Sequence, residues 1–142
     1  MNTGYFDAHN HWQDRSFDPN RAAITSSLQM LNIRRMVVNG TTENDWSRVQ
    51  ALAANDPSII PSFGLHPWFT AERTSDWAQS LKRILVSSRS AIGEAGLDRY
   101  IPNYRIADQE VVFEHHLHLA VELNRPITIH CLYAVDDLLA VL

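Results

Sequence analysis

The stretch Ala91-Ile92-Gly93-Glu94-Ala95-Gly96-Leu97-Asp98 begins as an apolar run and carries an acidic residue, Glu94, where that run ends. Ala91–Glu94 is predicted to be a buried β-strand, because short apolar runs bounded by glycine are typical of strands covered on both faces. A carboxylate at this place must be paired with a cation or a basic side chain, since its desolvation is otherwise very costly. Asp98 is expected to cap the loop that follows.

Four further runs of strand-forming residues surround this one, and helix-type stretches separate them. The predicted strands are Gly4–Ala8, Arg35–Asn39, Ile59–Gly64, Ala91–Glu94 and Pro126–His130. The predicted helices are Asn20–Leu31, Asn44–Asn55, Thr74–Ser88 and Ile106–Leu123. The strands begin about 30 residues apart, which is the size of one strand-plus-helix unit. The last helix has an apolar face at helical spacing, formed by Phe113, Leu117, Ala120 and Val121.

The alternation of strands and helices predicts an α/β fold with parallel strands joined by right-handed crossovers. Two architectures remain open. The units form a five-stranded, doubly wound open sheet, or they are the first five or so units of a TIM-type (βα)8 barrel, which takes about 250 residues. The final run, Asp136–Leu142, favours a helix and has no capping residue after it. We therefore expect residues 1–142 to be a single incomplete domain that lacks the C-terminal units.

The composition excludes several classes of protein. Of the 142 residues, 45% are hydrophobic and 20% are charged, which rules out a disordered chain. The net charge of -4 gives no general attraction to phosphate backbones, so binding of nucleic acid would need a local site. The single cysteine, Cys131, excludes an internal disulfide, and Met1–Asp7 lacks the regions of a signal peptide. No apolar run reaches the ~20 residues of a membrane span. These features predict a soluble, cytoplasmic chain that does not bind membranes.

Four of the five predicted strands end in histidine or glutamate. His9 and His11 lie two residues apart at the end of the first strand, so both side chains point to the same face. His66 follows the third strand, Glu94 ends the fourth, and His130 ends the fifth. The carboxyl ends of parallel strands meet at one edge of the sheet, where the sites of α/β proteins gather. Imidazole and carboxylate groups hold divalent metal ions, which lower the pKa of bound water and polarise phosphoryl or carbonyl oxygens.

Other histidines and aromatic residues have simpler interpretations. His115, His116 and His118 on the last helix are interpreted as a solvated face rather than as a metal-binding pair. Trp12 and Trp68, next to the site candidates, either line a pocket or pack the rim of the fold. The chain contains no nucleophilic serine or cysteine motif, no P-loop and no dinucleotide-binding glycine motif. Water activated by a metal ion is therefore the chemistry that these residue types support.

Six segments of the chain form an ordered set of motifs. They are Asp7–His11, Gly64–Pro67, Gly93–Asp98, Gln109–Phe113, Leu117–Ala120 and Arg125–His130. In content, order and spacing this set resembles the TatD family of metal-dependent hydrolases, over nearly the whole chain. The resemblance implies a TIM-type barrel, one or two divalent metal ions, and hydrolysis of phosphodiester bonds in DNA or another phosphodiester. The residues do not distinguish zinc, magnesium and manganese.

The resemblance also assigns roles to individual residues. By position, His9, His11 and His130 match metal ligands, and Glu94 matches a catalytic ligand that can bridge two metals. His66 matches a histidine near the substrate phosphate. The family also uses a later histidine and a late aspartate that holds the attacking water, and both positions lie beyond the end of this chain.

Two positions depart from the family's pattern, and they leave the function open. Leu132 stands where an arginine is usual, which weakens phosphate binding because leucine offers no donor. His116 stands where a glutamine is usual. The chain is therefore either a divalent-metal-dependent hydrolase or a truncated, catalytically inactive half-barrel that binds metal or self-associates. A half-barrel has two open strand edges, which favours a homodimer. A self-contained sheet acting as a binding module would instead be a monomer without metal.

Overall fold

The structure, a computed structural model, describes residues 4–142. Met1, Asn2 and Thr3 lie outside the described residues. They are the first part of the stretch Met1–Asp7, which is predicted not to be a signal peptide. The strands are β1 (Tyr5–Asn10), β2 (Ile33–Asn39), β3 (Ile59–Phe63), β4 (Ala91–Asp98) and β5 (Ile127–Leu132). The helices are α1 (Arg21–Met30), α2 (Glu43–Asn55), α3 (Trp77–Ser87), α4 (Ile106–Leu123) and α5 (Val135–Val141). Two short 3₁₀ segments span Arg15–Asn20 and Pro67–Glu72.

The five strands form one parallel sheet in the order β1-β2-β3-β4-β5. A doubly wound sheet of the flavodoxin type would instead place its first strand between the second and the third. Sequential order is the arrangement found in the wall of a (βα)8 barrel. The barrel-type fold is therefore confirmed for these five units, and the doubly wound alternative is wrong.

Each predicted strand and helix is present, and only its ends shift by a few residues. The largest difference is in β4, which continues from Glu94 to Asp98. Residues 95–98 pair with β5 and are fully buried, so the glycines that seemed to bound the strand lie inside it. At Gly96 the backbone φ is +153°, and a Cβ atom there would overlap the carbonyl oxygen of His130. The two strands thus approach more closely than any side chain at residue 96 would permit.

The packed face of helix α4 includes Phe113, Leu117 and Ala120 of the predicted face but not Val121. Phe113 is fully buried as expected, but Val121 is 84% exposed. Two polar residues, Gln109 and His116, take buried positions on the packed face. Both satisfy backbone groups of the neighbouring strand ends, as Gln109 does by hydrogen bonds to the N–H and the carbonyl oxygen of Asp98. Hydrophobicity alone could not reveal this face, because part of it is polar.

The core lies between the sheet and the surrounding helices. Its fully buried members include Val38, Val49, Phe63, Leu81 and Ile92. A second cluster, around Leu97 and Phe113, joins α4 and α5 to the C-terminal half of β4. Within residues 4–142, no helix combines the length and the apolar character needed to cross a bilayer.

Candidate metal centre

Glu94 lies at the centre of a cluster of four histidines. Its side chain, on β4, is almost fully buried. Oε2 lies 3.2 Å from Nε2 of His9 and 3.3 Å from Nε2 of His11. Oε1 lies 2.9 Å from Nδ1 of His130 and 3.8 Å from Nε2 of His66. The structure thus brings together all five residues that the sequence singled out, with two histidines at each carboxylate oxygen.

Curvature of the sheet makes this cluster possible. His9 on β1 and Glu94 on β4 lie on strands separated by β2 and β3. Strands in a flat sheet are about 4.8 Å apart, so these two backbones would be about 14 Å from each other, too far for the side chains to touch. Their contact at 3.2 Å shows that the sheet curls as a barrel wall does. The carboxyl ends of the strands therefore face a common centre.

Hydrogen bonds fix which nitrogen of His11 and His130 faces the carboxylate. Nδ1 of His11 lies 3.0 Å from the carbonyl oxygen of Asn39 and donates to it, so Nε2 keeps its lone pair. Nε2 of His130 lies 2.8 Å from Oδ2 of Asp98, which directs Nδ1 at Glu94. A carbonyl or carboxylate behind the ring is the usual arrangement for a metal-binding histidine.

His66 differs from the other three histidines. Its Nδ1 accepts a hydrogen bond from the backbone N–H of Trp68 at 3.2 Å, so a neutral ring carries its proton on Nε2. Burial lowers the pKa of His66 to about 4, and the ring is therefore neutral near pH 7. The Nε2–H of His66 is therefore a donor that lies 3.0 Å from Nδ1 of His130, and it suits a substrate oxygen better than a metal ion.

The electrostatics of the cluster favour an ionised Glu94. Burial by itself raises the pKa of Glu94, but contacts with His11 and His130 outweigh burial and hold that pKa well below its usual range. The close contact with Glu94 raises the pKa of His11. In His130, burial lowers the pKa, but the contacts with Glu94 and Asp98 more than offset it, so the pKa is raised. A negative charge is therefore kept at the centre of a ring of imidazoles.

The donor set fits a divalent metal ion. Two groups of side chains each have their ligand atoms within 4.8 Å of one another. One group is His9, His11 and Glu94, and the other is His66, Glu94 and His130. Oε2 of Glu94 is buried and has no hydrogen bond of good geometry, which is costly for a carboxylate without a cation. Imidazole nitrogens and a carboxylate suit zinc and other first-row divalent ions. The cluster can thus hold a metal ion, and Glu94 is placed to contact two.

Asp98 connects this cluster to the surrounding loops. Its Oδ1 accepts hydrogen bonds from the backbone N–H groups of Tyr100 and Ile101 at 2.7 and 3.1 Å, so the predicted capping of the loop is confirmed. Its Oδ2 contacts His130 and also accepts a hydrogen bond from Nε1–H of Trp68 at 2.7 Å. The sequence did not indicate this second role, because it depends on β4, β5 and the 3₁₀ segment Pro67–Glu72, which meet only in the fold.

The interpretation of the helix histidines as a solvated face is wrong for His116 and incomplete for His115. His116 is fully buried, donates through Nδ1 to the carbonyl oxygen of Val112 at 2.7 Å, and accepts from the N–H of Leu65 at 3.0 Å. His115 is half-buried with its ring edge against Trp77. Only His118 is exposed as expected. His116 is instead a buried link between α4 and the loop that carries His66.

A cavity of about 940 Å³ opens beside the cluster. His11, His66, Glu94 and His130 line it, and so does Trp68, one of the two tryptophans flagged in the sequence. Trp12, the other, is buried in the core instead. Further wall residues come from the segments after β1 and β2, namely Gln13, Arg15, Asn44, Asp45 and Arg48. Sequence reasoning missed them, although their place after predicted strand ends could have indicated that they face the same site.

The comparison with known families agrees with this geometry. Residues 6–142 match the family model described as TatD related DNase. The chain belongs to the TatD family. The resemblance inferred from the six motifs is therefore confirmed.

Individual relatives place the chain within this family. A TatD protein of Erwinia billingiae, named as a 3'-5' ssDNA/RNA exonuclease, is 34% identical over 129 residues, which are 89% of this chain and 49% of that protein. An uncharacterized metal-dependent hydrolase of Bacillus subtilis is 27% identical over 138 residues, which are 96% of this chain and 54% of that protein. This chain spans about half the length of the TatD relatives it matches.

A solved structure supports the fold. The crystal structure of a TatD homologue from Escherichia coli superposes with a TM-score of 0.89 at 24% sequence identity. The match covers 94% of this chain and 53% of the Escherichia coli chain. The five units described here therefore correspond to about half of a TatD barrel.

Proposed function

We propose that this chain provides the metal site of a divalent-metal-dependent hydrolase that cleaves phosphodiester bonds. The observation that carries the proposal is the buried carboxylate of Glu94, which has two histidines at each of its oxygens. A bound divalent ion would supply a water molecule of lowered pKa and would polarise a phosphoryl oxygen. Such a site needs imidazole nitrogens and an ionised carboxylate, and this cluster contains both groups.

Each residue has a separate role in this proposal. His9, His11, Glu94 and His130 would hold one or two metal ions, with Glu94 as the catalytic ligand between the His9–His11 pair and His130. His66 would bind substrate: its neutral Nε2–H donates to a non-bridging phosphate oxygen and stabilises the charge that develops there. Asp98 would orient His130 through the contact at Nε2. The metal could be zinc, magnesium or manganese.

Nucleic acid is the substrate class that we propose. The Erwinia billingiae relative is named as a single-strand DNA and RNA exonuclease, and a human relative, 37% identical over 83 residues, is named as an RNA nuclease. The net charge of -4 means that affinity must come from the site itself and not from the overall charge. We therefore expect DNA or RNA to bind locally, at the cavity beside Glu94.

Substitution of ligands tests this function. We expect His9→Ala and Glu94→Gln to weaken binding of zinc or manganese by more than about tenfold, because even the loss of a ligand's hydrogen-bond partner costs 10- to 100-fold. Cleavage of an end-labelled single-stranded oligonucleotide should fall with metal affinity. Titration calorimetry measures the binding, and gel analysis of the products measures the cleavage. His118→Ala is the matched control, since His118 is an exposed histidine outside the cluster.

A second candidate function is metal binding without hydrolysis, because the chain spans about half the length of its relatives. The two are distinguished in the same experiment. Metal binding that depends on His9 and Glu94, with an oligonucleotide that stays intact, would favour the inactive half-barrel. Metal affinity equal in the wild type and both ligand variants would contradict the site for either function.

We further propose that the chain is one incomplete barrel domain that pairs with a second copy. Strands β1 and β5 are the edges of the sheet within residues 4–142. Exposed apolar side chains on these edges, Tyr5 and Phe6 on β1 and Ile129 on β5, support pairing through them. The free, half-buried thiol of Cys131 supports a reducing compartment, and we propose the cytoplasm.

A further inference from the structure

The cavity beside Glu94 has an aromatic wall that the proposed metal chemistry does not use. Trp68 lines this cavity with 50% of its surface exposed. Its indole is nevertheless fixed, because Nε1–H donates to the buried Asp98 at 2.7 Å and the ring lies edge-on to His66 with 5.3 Å between centroids. A large, exposed aromatic face that a hydrogen bond and a ring contact hold beside a polar cluster is a surface on which a planar ligand can stack.

The same cavity also contains a cationic group that is available to a ligand. Arg15 is an exposed wall residue, and its guanidinium makes no hydrogen bond, ion pair or ring contact with any residue from 4 to 142. Arg48, the other arginine in the wall, is already paired with Asp18. A guanidinium with five free N–H donors binds phosphate oxygens well, often through two parallel hydrogen bonds.

Together these features match the chemistry of one nucleotide and its neighbour. A nucleobase is planar and stacks on indole, and the phosphates on either side of it are anionic. The cluster around Glu94 supplies a place for one phosphate under the function proposed above, and Arg15 supplies a place for another. Stacking on a protein side chain requires a base whose face is free, which single-stranded nucleic acid offers and a continuous duplex does not.

We propose that Trp68 is a stacking platform for the base next to the phosphate at Glu94, and that Arg15 binds a neighbouring phosphate of the same strand. This proposal rests on the function proposed above and adds the residues that select an unpaired strand. The platform recognises the presence of a base, whereas Arg15 recognises only charge. The two contributions are therefore separable by experiment.

The test compares two oligonucleotides with the same number of phosphates. One is a short fluorescent oligothymidylate, and the other has abasic sites in place of the thymidines. Fluorescence anisotropy measures both affinities in EDTA, and again in manganese over a time in which a gel shows the oligonucleotide intact. We expect Trp68→Ala to weaken binding of the thymidylate by about tenfold and to leave the abasic strand unchanged, because each stacked base contributes appreciably to affinity. Trp68→Phe should retain most of the affinity, since a smaller aromatic face remains.

Arg15→Gln is expected to behave differently from the tryptophan variants. It should weaken both oligonucleotides equally and reduce the slope of log affinity against log salt concentration by about one. Arg89→Gln is its matched control, because Arg89 is also an exposed arginine but precedes β4, at the other end of the strand from the cluster. That variant should bind both strands as the wild type does.

The outcomes separate the stacking at Trp68, the phosphate contact of Arg15 and the proposed nucleic-acid substrate from one another. Equal losses on thymidylate and abasic strands in Trp68→Ala, or no loss in either, would overturn the platform while the nucleic-acid function stands. An unchanged affinity and salt slope in Arg15→Gln would overturn the phosphate contact. A wild-type chain that binds neither oligonucleotide in either buffer would overturn the proposed substrate class, and the platform with it.

Discussion

His116 shows how an imidazole can take the place of a side-chain amide. Its Nδ1–H donates to Val112 and its Nε2 accepts from Leu65, so the ring presents one donor and one acceptor, as a glutamine does. A glutamine, the usual residue of the family noted above, has the donor and the acceptor that these two hydrogen bonds require. Only the neutral ring can make both hydrogen bonds, and burial lowers the pKa of His116 to about 4.

A pH dependence of stability follows from this residue. The unfolded chain protonates His116 near pH 6.5, whereas the folded chain resists protonation down to about pH 4. The unfolded state therefore binds more protons in this window, and the free energy of unfolding falls as the pH falls, by about 3 kcal/mol in total from this group. We expect His116→Gln to remove this part of the dependence. Urea unfolding at pH 7 and at pH 4.5 measures the free energy of unfolding of the wild type and of His116→Gln. An equal loss between the two pH values in both proteins would contradict the pH dependence assigned to His116.

The helix α4 gives a prediction at the level of a secondary-structure element. Phe113 is fully buried and Val121 is 84% exposed, although the sequence placed both on one apolar face. We expect Phe113→Ala to lower the free energy of unfolding by about 3–5 kcal/mol, and Val121→Ala to change it by no more than about 0.5 kcal/mol. Phe113→Leu, a milder change of about 1 kcal/mol, keeps the comparison possible if the alanine variant does not fold. Equal losses of the free energy of unfolding in Phe113→Ala and Val121→Ala would contradict this packing and favour the face predicted from the sequence.

The strands and the helix α4 illustrate what the sequence can and cannot predict. Short apolar runs that end in His9, Glu94 and His130 indicated both the strands and the residues that meet at their ends, since parallel strands share one carboxyl edge. The packed face of α4 was not predictable in full, because His116 is buried for its hydrogen bonds and not for its hydrophobicity. Likewise, the contact between Trp68 and Asp98 joins the 3₁₀ segment after β3 to the end of β4, and these two residues are 30 apart in sequence.

At the scale of the molecule, the strands at the two edges of the sheet within residues 4–142 predict self-association. We expect a concentration-dependent dimer in analytical ultracentrifugation. Phe6→Lys or Ile129→Lys should raise its dissociation constant by more than about tenfold, because lysine on an edge strand opposes pairing and would be buried without a partner. Val86→Lys is the control, since Val86 is an exposed apolar residue on α3, away from both edges. A monomer at every concentration, or equal effects of all three variants, would contradict pairing through β1 and β5.

The close approach of β4 and β5 at Gly96 has a consequence for how this chain can evolve. Gly96 has no side chain to offer a metal ion, yet the separation of the strands that carry Glu94 and His130 depends on the hydrogen atom it has in place of a side chain. Even alanine would push the two strands apart and take a histidine away from the carboxylate. In a survey of all single substitutions, residue 96 should therefore tolerate as little change as the ligands themselves, whereas an exposed position such as Val121 should vary freely.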